Sequence, residues 1–583
     1  MSESASSPGS SVNAPTLHAH RLLWAGFMAI LAEGVGFSIR GGILAQGLWA
    51  HQFGFTNTEL GVITGAGLTG FGVIIIFSSL IADKIGYGRL MFGAFALHSA
   101  SAVLTLLTGA AFAAWGKPAA AQCLFWGTFL FALGNGLCEG VANPLIASLF
   151  PKNKSKYLSI LHAGWPGGLI LGGLASYFMC GGVGGQPVKW EIQMCAFLIP
   201  VAIYGGMLLG QKFPKSEASE HGVKQTDMLR ELGFFGALIL CALLTLWFHD
   251  LLSTTAWMHN LVGDASWLVA AVMGGVLLLA FGVSTKFAPG YFILVLLLVV
   301  HSLQGYVELG TDSWTAKISG AIMTSAQSGL LLTVYISGLM FVLRFFAGPI
   351  VHKISPLGLL FVSTVLASIG LALFGHADSA MFCILAATVF ALGKTFMWPT
   401  LLAVVSERFP KGGAITIGAM GGAGMLCAGL LGGPGIGYNQ DSNAADKLTK
   451  EHPQVYERYK ASAPNSFLMF TTTGLDGAKV GVLDDNGKEL DRTVELLAKE
   501  NRTDASTAAL NTWWASAKTT AAEDKPIVTE AELNGDRKAM STTAVLPIVQ
   551  AVLLLGMILY FKSSGGYKQV HIEGAGQGAK EVA

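Results

Sequence analysis

Long runs of apolar residues recur through this chain at about 22–50, 58–82, 89–113, 121–150, 158–180 and 188–210. Two more follow at about 232–253 and 263–285, then 289–314, 326–350, 356–376, 379–406, 412–437 and 541–562. About 20 such residues, rising ~1.5 Å each, cross the ~30 Å hydrocarbon core of a bilayer. Charged residues make up 12% of the 583 positions, against roughly 25% in soluble domains. An all-α membrane protein of about fourteen spanning helices is expected, and a soluble enzyme is not.

Charge placement predicts the orientation. Asp83, Lys84 and Arg89, the run PKNKSK at 151–156, and Lys212, Lys215, Lys224 and Arg230 lie in alternate loops. The loops between them hold only Lys117 or Lys189. Basic loops stay cytoplasmic, so both termini are expected inside and the polar stretch 438–540 outside. That stretch is long enough for a small folded cap, with a hairpin expected around Asp485-Asn486-Gly487. The Ser-rich first 20 residues have no signal-peptide order and read as a soluble tail. The seven cysteines (123, 138, 180, 195, 241, 383, 427) sit in apolar runs, with neither a disulfide framework nor zinc spacing. A formal net charge of +1 implies no nucleic-acid partner.

The chain repeats itself. FALGNGLCEGVANPLIASLFP at 131–151 returns as FALGKTFMWPTLLAVVSERFP at 390–410, offset by 259 residues at Phe131/Phe390 and at Phe150/Phe409. FSSLIADK at 77–84 echoes FAGPIVHK at 346–353. Gly164, Gly168 and Gly172 share their four-residue spacing with Gly429, Gly433 and Gly437, a pattern that lets helices approach closely in lipid. The reading is two homologous six-helix halves, the plan of many secondary transporters. The expected organisation is a tail at 1–20, a first bundle at 21–211, and a linker with an extra helix pair at 212–288. Five helices of the second bundle follow at 289–437, then the extracytoplasmic insertion 438–540, a last helix at 541–562 and a cytoplasmic tail at 563–583.

FSSLIADKIGYGRLM resembles the signature loop of the major facilitator superfamily, with Asp83, Lys84 and Gly86 matching, Ser79 in place of the first glycine and Arg89 one residue late. The second copy keeps Arg344 and Gly348. Within that superfamily, Glu139 shortly before Asn143-Pro144 is similar to the fucose–glucose–galactose–proton symporter branch. That branch also carries an acidic residue in its first helix, where this chain offers Glu33 and Arg40. The resemblance implies two rocking bundles, a central substrate site, and the Asp83-Lys84-Gly86-Arg89 loop as a cytoplasmic gate supported by Arg344.

Charges inside the membrane are costly, ~2.5–3.5 kcal/mol or more, so they persist where they are paired, neutralised or wet. Glu33 and Arg40 lie on one face of a Gly-rich first helix, either lining a cavity or, for Arg40, locked to a carboxylate. Glu139 among small residues suits proton carriage, the alternative being a permanent ion pair. By the repeat, Lys394 matches Asn135 and Trp398 matches Glu139, which predicts all four around one central chamber. Glu308 and Asp312, one turn apart, form a second carboxylate pair, with Gln304 and Tyr306 adding hydrogen-bonding groups and Gly310 interrupting the helix. The proton-coupling candidates are thus Glu139, Glu308, Asp312 and Glu33. Arg40, Asn135, Asn143, Gln304, Tyr306, Lys394 and Trp398 are the substrate candidates. His162 and His249 read as satisfied core residues, and His301 as one that could titrate.

No P-loop, metal-ligand spacing or Gly-x-Ser-x-Gly element is present, and Asn501-Arg502-Thr503 is a chance-level glycosylation tripeptide. The expected function is proton-coupled sugar symport by alternating access, in a monomer of the plasma membrane. Sodium is an alternative coupling ion, and no cofactor is implied. An organic anion held by Arg40 and Lys394 is a second reading. A transporter-derived nutrient sensor reporting through 438–540 is a third.

Overall fold

A backbone in hydrocarbon must satisfy its own hydrogen bonds, and long helices are how this apolar sequence does so. The computed structural model describes residues 17–45, 48–53, 57–179, 188–254, 256–499 and 503–572. Segment 1–16, Cys180, the Asn501-Arg502 dipeptide and the tail from 573 lie outside the described residues. Among the described residues, twelve helices are long and apolar enough to cross a membrane, or thirteen with the bent pair Ser328–Arg344 and Ala347–Ile354. The number falls just short of the fourteen expected. The 29-residue Asn57–Ile85 helix packs on Lys117–Leu149 and Gly413–Cys427.

The first half consists of Leu17–Ala45, Asn57–Ile85, Tyr87–Leu106, Lys117–Leu149, the broken pair Lys154–His162 and Gly164–Met179, and Trp190–Leu208. Its glycine stripe packs against the first helix. A Cβ on Gly168 would come within 2.8 Å of Gly34 Cα, and one on Gly172 within 2.7 Å of Ser38 Cβ. The two backbones therefore touch with no side chain between them, as the four-residue spacing predicts.

The second half begins at Phe292–Gly305, which passes through a π-turn at Tyr306–Gly310 into Thr311–Ile322. Gly413–Cys427 likewise passes through a π-turn, Ala428–Gly432, into Gly433–Glu451. The two π-turns pack together, Gly310 against Gly432. Such turns collect at functional sites because they re-aim side chains and free carbonyls. The extra pair, Gln225–Thr254 and Ser266–Thr285, lies against Gly413–Cys427 on the flank of the second half. Leu268, Val272, Val276, Leu279 and Val283 are exposed along it, an apolar face suited to lipid.

The insertion is a folded helical cap. Gly433–Glu451 carries straight into it, and Ala521–Thr543 leads back to the last span, Val545–Ser563. Its own core gathers Leu448, Val455, Tyr459, Leu483, Trp514 and Val528. The hairpin expected at 485–487 is instead a turn between Gly477–Asp485 and Lys488–Lys499. Asn486 and Gly487 do take positive φ (59° and 80°) there, but to end a helix, with the Asp485 carboxylate accepting from the Gly487 and Glu489 amides. The hairpin of the cap lies earlier, pairing Asn465–Phe467 with Phe470–Thr472. Lys317 ties the cap to the second half through Gln440 (3.3 Å) and Asp536 (3.9 Å).

Candidate functional site

At mid-bundle the two copies of the repeat face each other across a cavity of about 30 Å3. Glu139, His162 and Trp165 line it from the first half, and Glu308, Arg344 and Trp398 from the second. Phe71, Leu309 and Met425 complete the wall. The volume holds one or two waters. Clefts that enclose small molecules run to ~300–1,000 Å3, so the halves are closed about their centre.

Each charged group in this wall is held by named partners. Asn143 donates to Glu139 Oε2 at 2.8 Å, and its amide oxygen meets His162 Nε2 at 2.8 Å. His162 Nδ1 stands 3.8 Å from Glu139 Oε1. Asn143 lies one turn beyond Glu139 on the same helix, so local geometry alone aims this pair. Arg344, 2% exposed, donates to Glu308 Oε1 at 3.1 Å and to the Thr395 carbonyl at 2.9 Å. A further nitrogen donates to the carbonyl of His162, across the interface between halves. The sequence points to Arg344 as a support for the gating loop. The structure puts it in the wall of the cavity instead, because the span bends by 65° just after it.

The predicted four-residue chamber forms only in part. Glu139 and Trp398 do line one cavity, but Asn135 and Lys394 turn into their own halves. Asn135 bonds His98 Nε2 at 2.9 Å, and His98 Nδ1 meets the Tyr204 hydroxyl at 2.9 Å. Lys394, 1% exposed, is paired with Asp312. The helix carrying Lys394 ends there and a new one starts at Met397, so Lys394 and Trp398 are not on one continuous face.

Arg40 is likewise not at the centre. Its guanidinium bonds the Gly36 carbonyl (3.1 Å) and Ser101 Oγ (2.8 Å) and lies 4.1 Å over the Phe131 ring. Neither the expected cavity-lining place nor the alternative carboxylate lock is found; dipoles and a ring face hold the guanidinium. Glu33 is fully buried, and neither of its oxygens accepts from a nitrogen or oxygen donor within the protein. Gln304 is buried with its amide nitrogen unpartnered, and Tyr306 is half-buried with its hydroxyl toward Gly435 and the cap residue Phe467. His301 lies beneath Trp398, ring centroids 4.4 Å apart, and His249 stacks on Trp267 in the extra pair.

Trp165 is a polar-tipped lining residue that sequence reasoning did not single out, and His162, read as a satisfied core residue, lines the cavity as well. The signal was present: His162 and Trp165 are three residues apart, one turn of the same helical span, beside the glycine stripe that packs on the first helix.

The loop-bearing, basic end of the molecule is sealed. Lys154 Nζ donates to the Ser406 carbonyl at 2.9 Å and Ser155 Oγ to Glu407 at 3.3 Å, both between halves. The tail straps across the same seam: Tyr567 donates to Glu407 at 2.7 Å and Gln569 to the Pro151 carbonyl at 2.7 Å. In the signature loop, Asp83 is half-buried beside Ser216 and Ser219 of the linker. Lys84 and Arg89 are exposed, Arg89 reaching only the Ile85 carbonyl at 3.3 Å. Gly86 has φ +91°, a value that disfavours a side chain, which accounts for glycine in the loop.

The sequence profile of the Major Facilitator Superfamily matches residues 26–433. No curated protein sequence matches the chain significantly. Among solved structures, the proton:xylose symporter XylE of E. coli bound to 6-bromo-6-deoxy-D-glucose is similar at TM-score 0.52 and 15% identity, over 72% of this chain and 88% of that one. The human organic anion transporter MFSD10 is similar at TM-score 0.52 and 12% identity, over 92% of this chain and 99% of its own. The E. coli fucose:proton symporter FucP aligns at TM-score 0.49 and 14% identity, over 71% and 91%. Two facing helical bundles, a charged cavity between them and a profile match over most of the chain make this multi-pass membrane protein a transporter of the Major Facilitator Superfamily.

Proposed function

We propose that the protein is a proton-coupled symporter of a neutral sugar, working by alternating access in the plasma membrane. The basic end is cytoplasmic and the cap is outside. The observation that carries this reading is the cavity wall: two indoles, Trp165 and Trp398, flank carboxylates contributed by both halves. Ring faces pack on sugar C–H surfaces, and carboxylates accept from sugar hydroxyls.

Charge supports a neutral cargo. Among the described lining residues, Arg344 and Glu308 cancel, which leaves Glu139 as the one unbalanced carboxylate. A proton on Glu139 brings the cavity to neutrality, and rocking the halves then exposes no bare charge to a closed, apolar environment. Deprotonation toward the cytoplasm restores the charge and opens the way for release. The inter-half bonds of Lys154, Ser155 and the tail hold the cytoplasmic path shut in the closed state and exchange for others when it opens.

The test is Glu139→Gln in proteoliposomes. Uptake driven by a pH gradient should vanish while sugar counterflow continues. Accumulation that survives the substitution rules out Glu139 as the coupling group. A sodium gradient in place of the pH gradient checks the other ion.

Arg344 gives a second reading some support, that of an organic-anion cargo, since it is a cation in the cavity wall. Arg40 and Lys394, the anchors first expected for an anion, are engaged elsewhere. Arg344→Lys decides it: an anion carrier loses its bidentate contact and most of its flux.

A further inference from the structure

Two polar atoms in the cavity wall have no hydrogen-bond partner among the described residues, and they are of opposite kinds. The indole nitrogen of Trp165 can only donate, and Glu308 Oε2, on a carboxylate paired with Arg344, is an acceptor. Both side chains line the same small cavity, one from each half. Unpartnered buried groups of this sort are destabilising, so something that enters the cavity is their natural complement.

We propose that a hydroxyl of the cargo bridges Trp165 Nε1 and Glu308 Oε2, so that these two residues select the cargo. This rests on the sugar-symport reading and names the group that the site recognises. The chemistry is selective. A hydroxyl accepts from the indole N–H through a lone pair and donates its own hydrogen to the carboxylate. A carboxylate cargo cannot donate to Glu308 and is repelled by it. An ammonium cannot accept from the indole. Only a group that is donor and acceptor at once satisfies both walls.

Arg344 is a positioning residue in this arrangement. It holds Glu308 by Oε1 at 3.1 Å, which leaves Oε2 for the cargo. Trp165 faces it from the fifth span of the first half. The two contacts come from different halves, so the bridge ties the cargo to both.

The experiment uses full-length protein in proteoliposomes and counterflow of labelled D-glucose, D-galactose, L-fucose and D-xylose, with D-glucuronate as the anionic member. The sugar that exchanges is then compared with its monodeoxy analogues in the wild type and in Trp165→Phe, which keeps a ring and removes the donor. Trp165→Phe should weaken the parent sugar about tenfold, the loss of one hydrogen bond. One monodeoxy analogue, lacking the bridging hydroxyl, should already be weak in the wild type and should lose nothing more in the variant. Melting temperatures of both proteins establish that the fold is intact. Unchanged affinity for the parent sugar overturns the inference and leaves sugar symport standing. Equal weakening of the parent and every analogue also overturns it, since that is the mark of a merely structural ring. If no neutral sugar exchanges, the sugar reading falls and the inference with it.

Discussion

Arg344 and His162 belong to opposite halves of the molecule, and the guanidinium of the first donates to the backbone carbonyl of the second while also holding Glu308. One side chain thus joins the charge balance of the cavity to the contact between halves.

Removing that side chain strands a buried charge. Arg344→Met leaves Glu308, 4% exposed, without its cation. A loss of ~3–5 kcal/mol in stability is expected from breaking a buried pair on one side. Arg344→Met combined with Glu308→Gln should recover most of it. Thermal melts of the purified variants measure both, and equal melting points for the single and double variants would refute the pairing as a source of stability.

The tail strap is expected to hold the basic end closed. Truncation after Gly566 removes the Tyr567–Glu407 and Gln569–Pro151 bonds. A cysteine placed at Ser148, near Ser406 under the seal, should then label faster with a membrane-impermeant maleimide added on the side of the basic loops. The exposed Cys195 is first replaced to clear the background. A labelling rate equal to that of the untruncated protein would show that the strap bears no part of the closure.

Contact between the first and fifth spans depends on having no side chain at Gly168. Gly168→Ala puts a Cβ 2.8 Å from Gly34 Cα and from Val35 N, both backbone atoms that cannot swing aside. A destabilisation of ~1–3 kcal/mol follows from such overpacking. Gly206→Ala is the control, since nothing lies within 4 Å of its Cβ position. Detergent stability of the two variants should differ in that order.

In the cap, burial and the nearby Asp524 carboxylate push the Tyr459 hydroxyl up from its usual 10 to about 12. The neutral phenol is therefore favoured by the fold. Its contribution to cap stability is complete below pH 10 and is lost as pH rises from 10 through 12. Tyr459→Phe should flatten that alkaline loss, as followed by limited proteolysis of the cap. A pH profile identical to wild type would contradict the assignment.

How much of this was legible beforehand differs from residue to residue. The spans, the duplication and the Gly164/Gly168/Gly172 contact were readable because each depends on neighbours along one helix or on a repeated string. Glu139 and Trp398 were paired correctly across the cavity by the 259-residue offset. Asn135 and Lys394 share that offset and were expected beside them. A break after Lys394 and a histidine on the third span drew each into its own half. The Asp485-Asn486-Gly487 turn was recognised as a reversal and assigned to strands, since positive-φ residues serve hairpins and helix ends alike.

Composition and periodicity by themselves determined that this chain lies in a membrane, that it has two related bundles, and that it keeps several charges in oil, because hydrophobic length and local spacing act within a single helix. Which charge meets which was decided only by the tertiary structure. A guanidinium reaches several ångströms from its backbone, and whether it finds Glu308, as Arg344 does, or an aromatic face, as Arg40 does, depends on bends and crossings of helices far apart in sequence.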